Sequence, residues 1–107
     1  MKVAIIGSRN IIVENLEQYL PKGITEIVSG GAKGIDSQAR IFAKRNNMIY
    51  TEFKPDYRRF GKGAPLKRNL EIISYADFVV AIWDGKSRGT KFVIDHCDSK
   101  KIKVYTL

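Results

Sequence analysis

Five stretches of the chain are apolar with little interruption, and the segments between them carry apolar residues at helical spacing. "KVAII" (2–6) is a continuous run, the pattern of a strand buried on both faces. "TEIVS" (25–29), "MIYTEF" (48–53), "DFVVAIW" (77–83) and "IKVYTL" (102–107) predict four more strands, with 77–83 the strongest. Asn10 is placed to cap a first helix reaching Leu20, with Ile12, Leu16 and Tyr19-Leu20 on one stripe, before "PKG" stops it. Asp36 or Ser37 caps a second, in which Ala39, Phe42 and Ala43 recur. Pro65 suits the first turn of a third, whose stripe is Leu66, Leu70 and Ile73. A fourth starts at Gly89 or Thr90 and turns Phe92, Val93 and Cys97 inward. The longest connection is "KPDYRRFGKGA" (54–64).

Strict alternation of apolar strands and helices calls for a parallel sheet covered on both faces. At 107 residues there is room for one domain. The expectation is a single Rossmann-like, doubly wound α/β domain over 1–107 with strand order 3-2-1-4-5. Order 2-1-3-4-5 is the alternative.

Ligands of open α/β sheets bind beyond the carboxyl ends of the strands, where the strand order reverses. Eight of the nine glycines (Gly7, Gly30, Gly31, Gly34, Gly61, Gly63, Gly85, Gly89) fall in the four loops at that edge, and Gly23 alone falls at the other. The loop "SGGAKGID" (29–36) joins a strand to a helix. Glycines there let an anion approach the backbone, where successive amides and the helix's positive end attract it. Lys33 adds a charge or faces solvent, and Asp36 caps the helix or accepts from a ribose hydroxyl. The spacing is neither G-x-G-x-x-G nor G-x-x-x-x-G-K-[ST], so a standard NAD or ATP site is not expected.

Charge strengthens this picture. Nineteen Lys/Arg against eleven Asp/Glu give +8, which favours phosphates, nucleotides or nucleic acid as partners. The excess concentrates between Lys54 and Arg68, beside Phe53, Tyr57 and Phe60, a mixture suited to holding a phosphate and stacking on a base. Ser8 and Arg9, after the first strand, suit a phosphate, the arginine as a two-pronged donor. Arg68 and Asn69 open the third helix, where a polar Asn69 needs a bonding partner in a loop or ligand.

Taken together, "IIGSR" (5–9), "VSGGAKGID" (28–36), "P-x-x-RN-x-x-I" (65–72) and "W-x-x-x-x-x-GT" (83–90) resemble the SLOG superfamily. That group joins the Smf/DprA DNA-processing proteins, the Lonely Guy phosphoribohydrolases and the small YspA-like proteins, to which this chain looks most similar. The resemblance implies a Rossmann-like fold that binds nucleotides, nucleotide-derived ligands or single-stranded DNA. It also implies self-association, since dimers are common in the family. The binding candidates it implies are Gly7, Ser8, Arg9, Gly30, Gly31, Gly34, Asp36, Arg68, Asn69, Gly89 and Thr90. Lonely Guy enzymes place a catalytic glutamate three residues after the threonine of P-G-G-x-G-T, and Val93 stands there in this chain. A valine moves no proton. Arg68 matches an arginine those enzymes use. Asp84, which closes the fourth strand beside the expected pocket, is the substitute acid we prefer and a further binding candidate.

Three readings follow: a sensor-type domain binding a nucleotide or related phosphate-bearing molecule, an N-glycosidase on nucleoside monophosphates, and a binder of single-stranded DNA. No cofactor is expected. Cys97 and His96 are adjacent, so on a helix they point about 100° apart, and no other Cys or His completes a metal site. Trp83 and Cys97 read as packing residues. No apolar run approaches the ~20 residues of a membrane span, and no secretion signal is evident, so the expected location is the cytoplasm.

Overall fold

A computed structural model describes residues 1–107. The strands are β1 (Lys2–Gly7), β2 (Glu26–Ser29), β3 (Ile49–Glu52), β4 (Phe78–Trp83) and β5 (Ile102–Thr106). The helices are α1 (Ile35–Arg45), α2 (Tyr57–Phe60), α3 (Ala64–Tyr75) and α4 (Arg88–His96), with 3-10 turns at Leu16–Tyr19, Gly61–Gly63 and Ser99–Lys101. All strand pairs are parallel and the order is β3-β2-β1-β4-β5, as the alternation predicts.

Side chains alternate across the sheet. Val3, Ile5, Ile27, Val80 and Ile82 point to one face, where they meet Ile35, Ala39 and Ala43 of α1 with Val13 and Leu16. Ala4, Ile6, Val28 and Val79 point to the other, against Ile72 of α3 and Val93 of α4 and the residues that close those helices, Ala76 and Cys97. Burying each large aliphatic side chain contributes about 1.5–3 kcal/mol, so the two-sided core fixes the strand register. The order reverses between β1 and β4, and the loops leaving those strands frame an opening at that point.

Four local expectations change. No helix runs from Asn10 to Leu20; only Leu16–Tyr19 winds, as a 3-10 turn. Ile11, Ile12 and Val13 are β-branched in succession, which disfavours a helix. The Gln38 side chain also holds Val13 like a strand neighbour, accepting from its amide at 2.9 Å and donating to its carbonyl at 2.7 Å. Ile12, expected inward, is 77% exposed.

Neither Asp36 nor Ser37 caps α1, because the cap is Gly34, with φ 71°. A Cβ at Gly34 would lie 2.5 Å from the carbonyl oxygen of Arg9, so the loop needs a residue without one. Asp36 instead accepts from the amide of Ala32, and the Ser37 hydroxyl donates to the carbonyl of Ala32.

The buried side of α3 is Ala64, Asn69 and Ile72, while Leu66 and Leu70 are 42% and 40% exposed. The helix is turned by about one residue, or 100°, from the expected face. Small Ala64 and Ala76 at its two ends let it lie close to the sheet. Within 54–64, residues Tyr57–Phe60 wind into α2, with the Asp56 carboxylate accepting from the Arg59 amide.

Candidate ligand-binding site

The opening between β1 and β4 is a cleft of about 460 Å³. One wall comes from the β1 end and the loop into α1 (Gly7 to Asn10, Gly30, Ala32, Asp36), the other from α3 (Pro65, Leu66, Arg68, Asn69) and the loop into α4 (Asp84 and Lys86 to Thr90). Arg9, Arg68, Lys86 and Arg88 line it against only two carboxylates, Asp36 and Asp84. The surroundings therefore favour an anion.

The wall at α4 is built by hydrogen bonds inside the loop. The Asp84 carboxylate accepts from the amides of Lys86 at 2.8 Å and Ser87 at 2.7 Å. Those two bonds, Ser87's first, hold its pKa down at about 2. The Ser8 hydroxyl accepts from the Asp84 amide and from the Ser87 hydroxyl, and the Trp83 ring nitrogen donates to the Ser87 carbonyl. Ser87, placed this way, accepts the first helical bond from Lys91. The amides of Arg88, Gly89 and Thr90 consequently find no acceptor in the protein and form the free positive end of α4.

Two side chains strengthen that end. Thr90 is 3% exposed, lines the cleft, and its hydroxyl bonds to nothing in the protein. No sealed side-chain atom in the molecule is without a partner, so this hydroxyl opens onto the cleft. Asn69, 6% exposed, accepts from Arg68 Nε through Oδ1 at 2.8 Å and leaves its Nδ2 without an acceptor. Both donors stand ready and preorganised, since no protein bond must break before a ligand takes them.

Arg68 ties the walls together. Its Nη1 donates to the carbonyls of Gly30 at 2.8 Å and Phe53 at 3.3 Å, joining α3 to the loops after β2 and β3. Burial lowers its pKa, and the nearby Asp36 charge opposes that. Asp36 lies on the opposite wall, 6% exposed. Burial raises its pKa, against the Ala32 amide bond and the charges of Arg68 and Arg9.

Of the residues expected from sequence, Gly7, Ser8, Arg9, Gly30, Asp36, Arg68, Asn69, Asp84, Gly89 and Thr90 come together around this cleft. Gly31 and Gly34 do not line it. A Cβ on Gly31 would strike the Glu52 carboxylate, and Gly34 serves the packing against Arg9, so both shape the loop rather than the cleft wall. Gly7 combines the two roles, since a Cβ there would run into Ile35. Ser8 has its hydroxyl engaged within the loop, and Asp84 spends one carboxylate oxygen, Oδ1, on the turn into α4. Lys33 and the basic residues of α2 are exposed and outside the cleft, and the half-buried Trp83 lies outside it too. Val93 is fully buried beneath α4. Lys86, Ser87 and Arg88, in the turn "DGKSRG" (84–89), line the cleft without being specified by any of the motifs above. Their signal was a run of bases and a hydroxyl directly before a helix start at the reversal point. No group of His, Cys, Asp and Glu is arranged to hold a metal, and no helix is long and apolar enough to cross a membrane.

Compared with family models, curated proteins and solved structures, the chain matches none.

Proposed function

We propose that this protein binds a nucleotide or nucleotide-derived ligand, seating its phosphate on the amino end of α4, as a sensor-type domain of the SLOG kind. One observation carries the reading. The Thr90 hydroxyl and the Asn69 amide are buried donors without protein acceptors, beside the three free amides of Arg88, Gly89 and Thr90. Such a set suits the oxygens of an anion, and phosphate with its several acceptor oxygens engages the most of these donors. Lys86 and Arg88 add charge at the rim, and Pro65 with Leu66 gives an apolar flank for a base or sugar face.

The two other readings have less support. An N-glycosidase needs a carboxyl group free to act beside the sugar. Asp84 is held ionised by two amides and Val93 lies in the core, which leaves Asp36 alone. A single-stranded DNA binder would use the aromatic and basic α2. There Arg59 and Lys67 lie 5.2 Å and 5.5 Å from the centre of the Phe60 ring, so of the two aromatics of α2 only Tyr57, 59% exposed, is without a cation beside it, a single ring rather than a stacking platform.

Native mass spectrometry of gently purified protein tests the proposal, with calorimetric titration of AMP and ADP-ribose alongside. A co-purifying phosphate-bearing mass, or saturable binding of either nucleotide, is expected. Incubation with AMP is expected to release no adenine. Binding of oligonucleotides with no affinity for mononucleotides would favour the DNA reading and contradict this one.

A further inference from the structure

The two walls of the cleft differ in character. The α4 wall offers buried donors, with the Oδ2 of the more exposed Asp84 as its free carboxylate oxygen, whereas the α1 wall offers a buried acceptor. Asp36 uses Oδ2 to accept from the Ala32 amide at 3.0 Å, and its Oδ1 has no donor. The residue is only 6% exposed, yet no oxygen of its side chain is both sealed and unpartnered, so Oδ1 meets the cleft. Nor does a cation pair with it. The single ion pair of the molecule is Lys91–Asp95, on the exposed side of α4. Arg68, the nearest strong candidate, is tethered elsewhere by its bonds to Asn69, Gly30 and Phe53. A buried carboxylate held apart from its cations, with one oxygen open to a cleft, is a receptor lacking its donor.

The donor's chemistry follows from the company. A second phosphate is repelled by the carboxylate. An ammonium group is repelled by Arg9, Arg68, Lys86 and Arg88 around the same space. A neutral hydroxyl meets neither objection, and a sugar hydroxyl is the neutral donor that a sugar phosphate carries nearest to its phosphate. We propose that Asp36 recognises a sugar hydroxyl of the bound molecule, so that the cleft selects phosphorylated sugars with free hydroxyls over deoxy sugars and over bare polyphosphate. This rests on the phosphate-site reading above and adds the ligand's second anchor.

Calorimetric titrations of AMP, 2′,3′-dideoxy-AMP and inorganic phosphate into wild-type protein, D36N and D36A test it. A hydrogen bond to a charged group predicts that the wild type prefers AMP over the dideoxy compound roughly tenfold to a hundredfold. Both variants are expected to shrink that preference to about threefold or less while binding inorganic phosphate at least as well as the wild type, and thermal melts verify that they are folded. Equal affinity of the wild type for AMP and its dideoxy analogue, with phosphate bound, overturns the role of Asp36 and leaves the phosphate site standing. Unchanged preference in both variants overturns it too. Failure of all three compounds to bind the wild type removes the phosphate site and this inference with it.

Discussion

Asp36 and Thr90 carry polar atoms into the cleft that the folded chain does not satisfy, and each arrangement has a measurable consequence. Burial disfavours the Asp36 carboxylate, which raises its pKa above the ordinary 3.8. Below that ordinary value, the folded and unfolded chains both hold the proton and the residue costs nothing. As pH climbs from there through the raised folded value, the unfolded chain releases its proton first, so folding stability falls. D36N keeps the shape and an oxygen for the Ala32 amide. It is expected to stabilise the unliganded protein at neutral pH by about 1 kcal/mol, or roughly 4–8 °C in melting temperature. The gain should fade as pH drops below about 4, which thermal melts across pH will read. T90V removes a hydroxyl that bonds to nothing in the protein. Its stability should stay within about 0.5 kcal/mol of the wild type. Its affinity for inorganic phosphate or AMP should fall tenfold or more by calorimetry. The sequence leaves Asp36 two roles, a helix cap or an acceptor for a ribose hydroxyl, and the structure removes the first. The cap falls to Gly34, where a Cβ is excluded by the carbonyl of Arg9, 25 residues away, a contact no local pattern reveals.

Among the elements, the strands were the most legible. A parallel strand buried on both faces needs no alternation, so a run such as "DFVVAIW" has few competing explanations. The segment after β1 was not legible, because Gln38, 25 residues further along the chain, fixes the backbone of Val13. Helix α3 was legible in existence and misread in orientation. Leucine at 66 and 70 outweighs alanine at 64 and 76 in any apolar count, yet small residues decide how closely a helix lies on a sheet. The rotation has functional weight, since it turns Asn69 inward beside Arg68 and leaves Leu66 at the cleft rim. Paired substitutions check it. I72A should cost about 2–5 kcal/mol in chemical denaturation, because it empties a fully buried site. L70K should change stability by no more than about 0.5 kcal/mol, as a surface substitution does. A large loss from L70K would restore the stripe read from sequence.

For the molecule as a whole, the strand order decides where chemistry gathers. Only at the reversal between β1 and β4 do loops from both faces of the sheet meet, and ten of the twelve residues nominated for binding line the cleft there. The place of the cleft followed from the position of the glycines and from the alternation of elements, and the nominated residues followed chiefly from the motif resemblance. The loop "DGKSRG" was harder, because its value lies in what the fold does to it. Asp84 bends it, Ser8 and Trp83 pin it, and three amides are left pointing free. The net charge of +8 draws anions to the protein generally, and so does not by itself distinguish this cleft from the basic surface around α2. An amide-resolved ¹⁵N NMR titration of the wild-type protein with AMP makes that distinction. The largest shifts should fall on the backbone amides of Arg88, Gly89 and Thr90 and on the side-chain amide of Asn69. If those signals stay still while Tyr57–Phe60 moves, or if nothing moves at saturating nucleotide, the end of α4 is not a phosphate cradle.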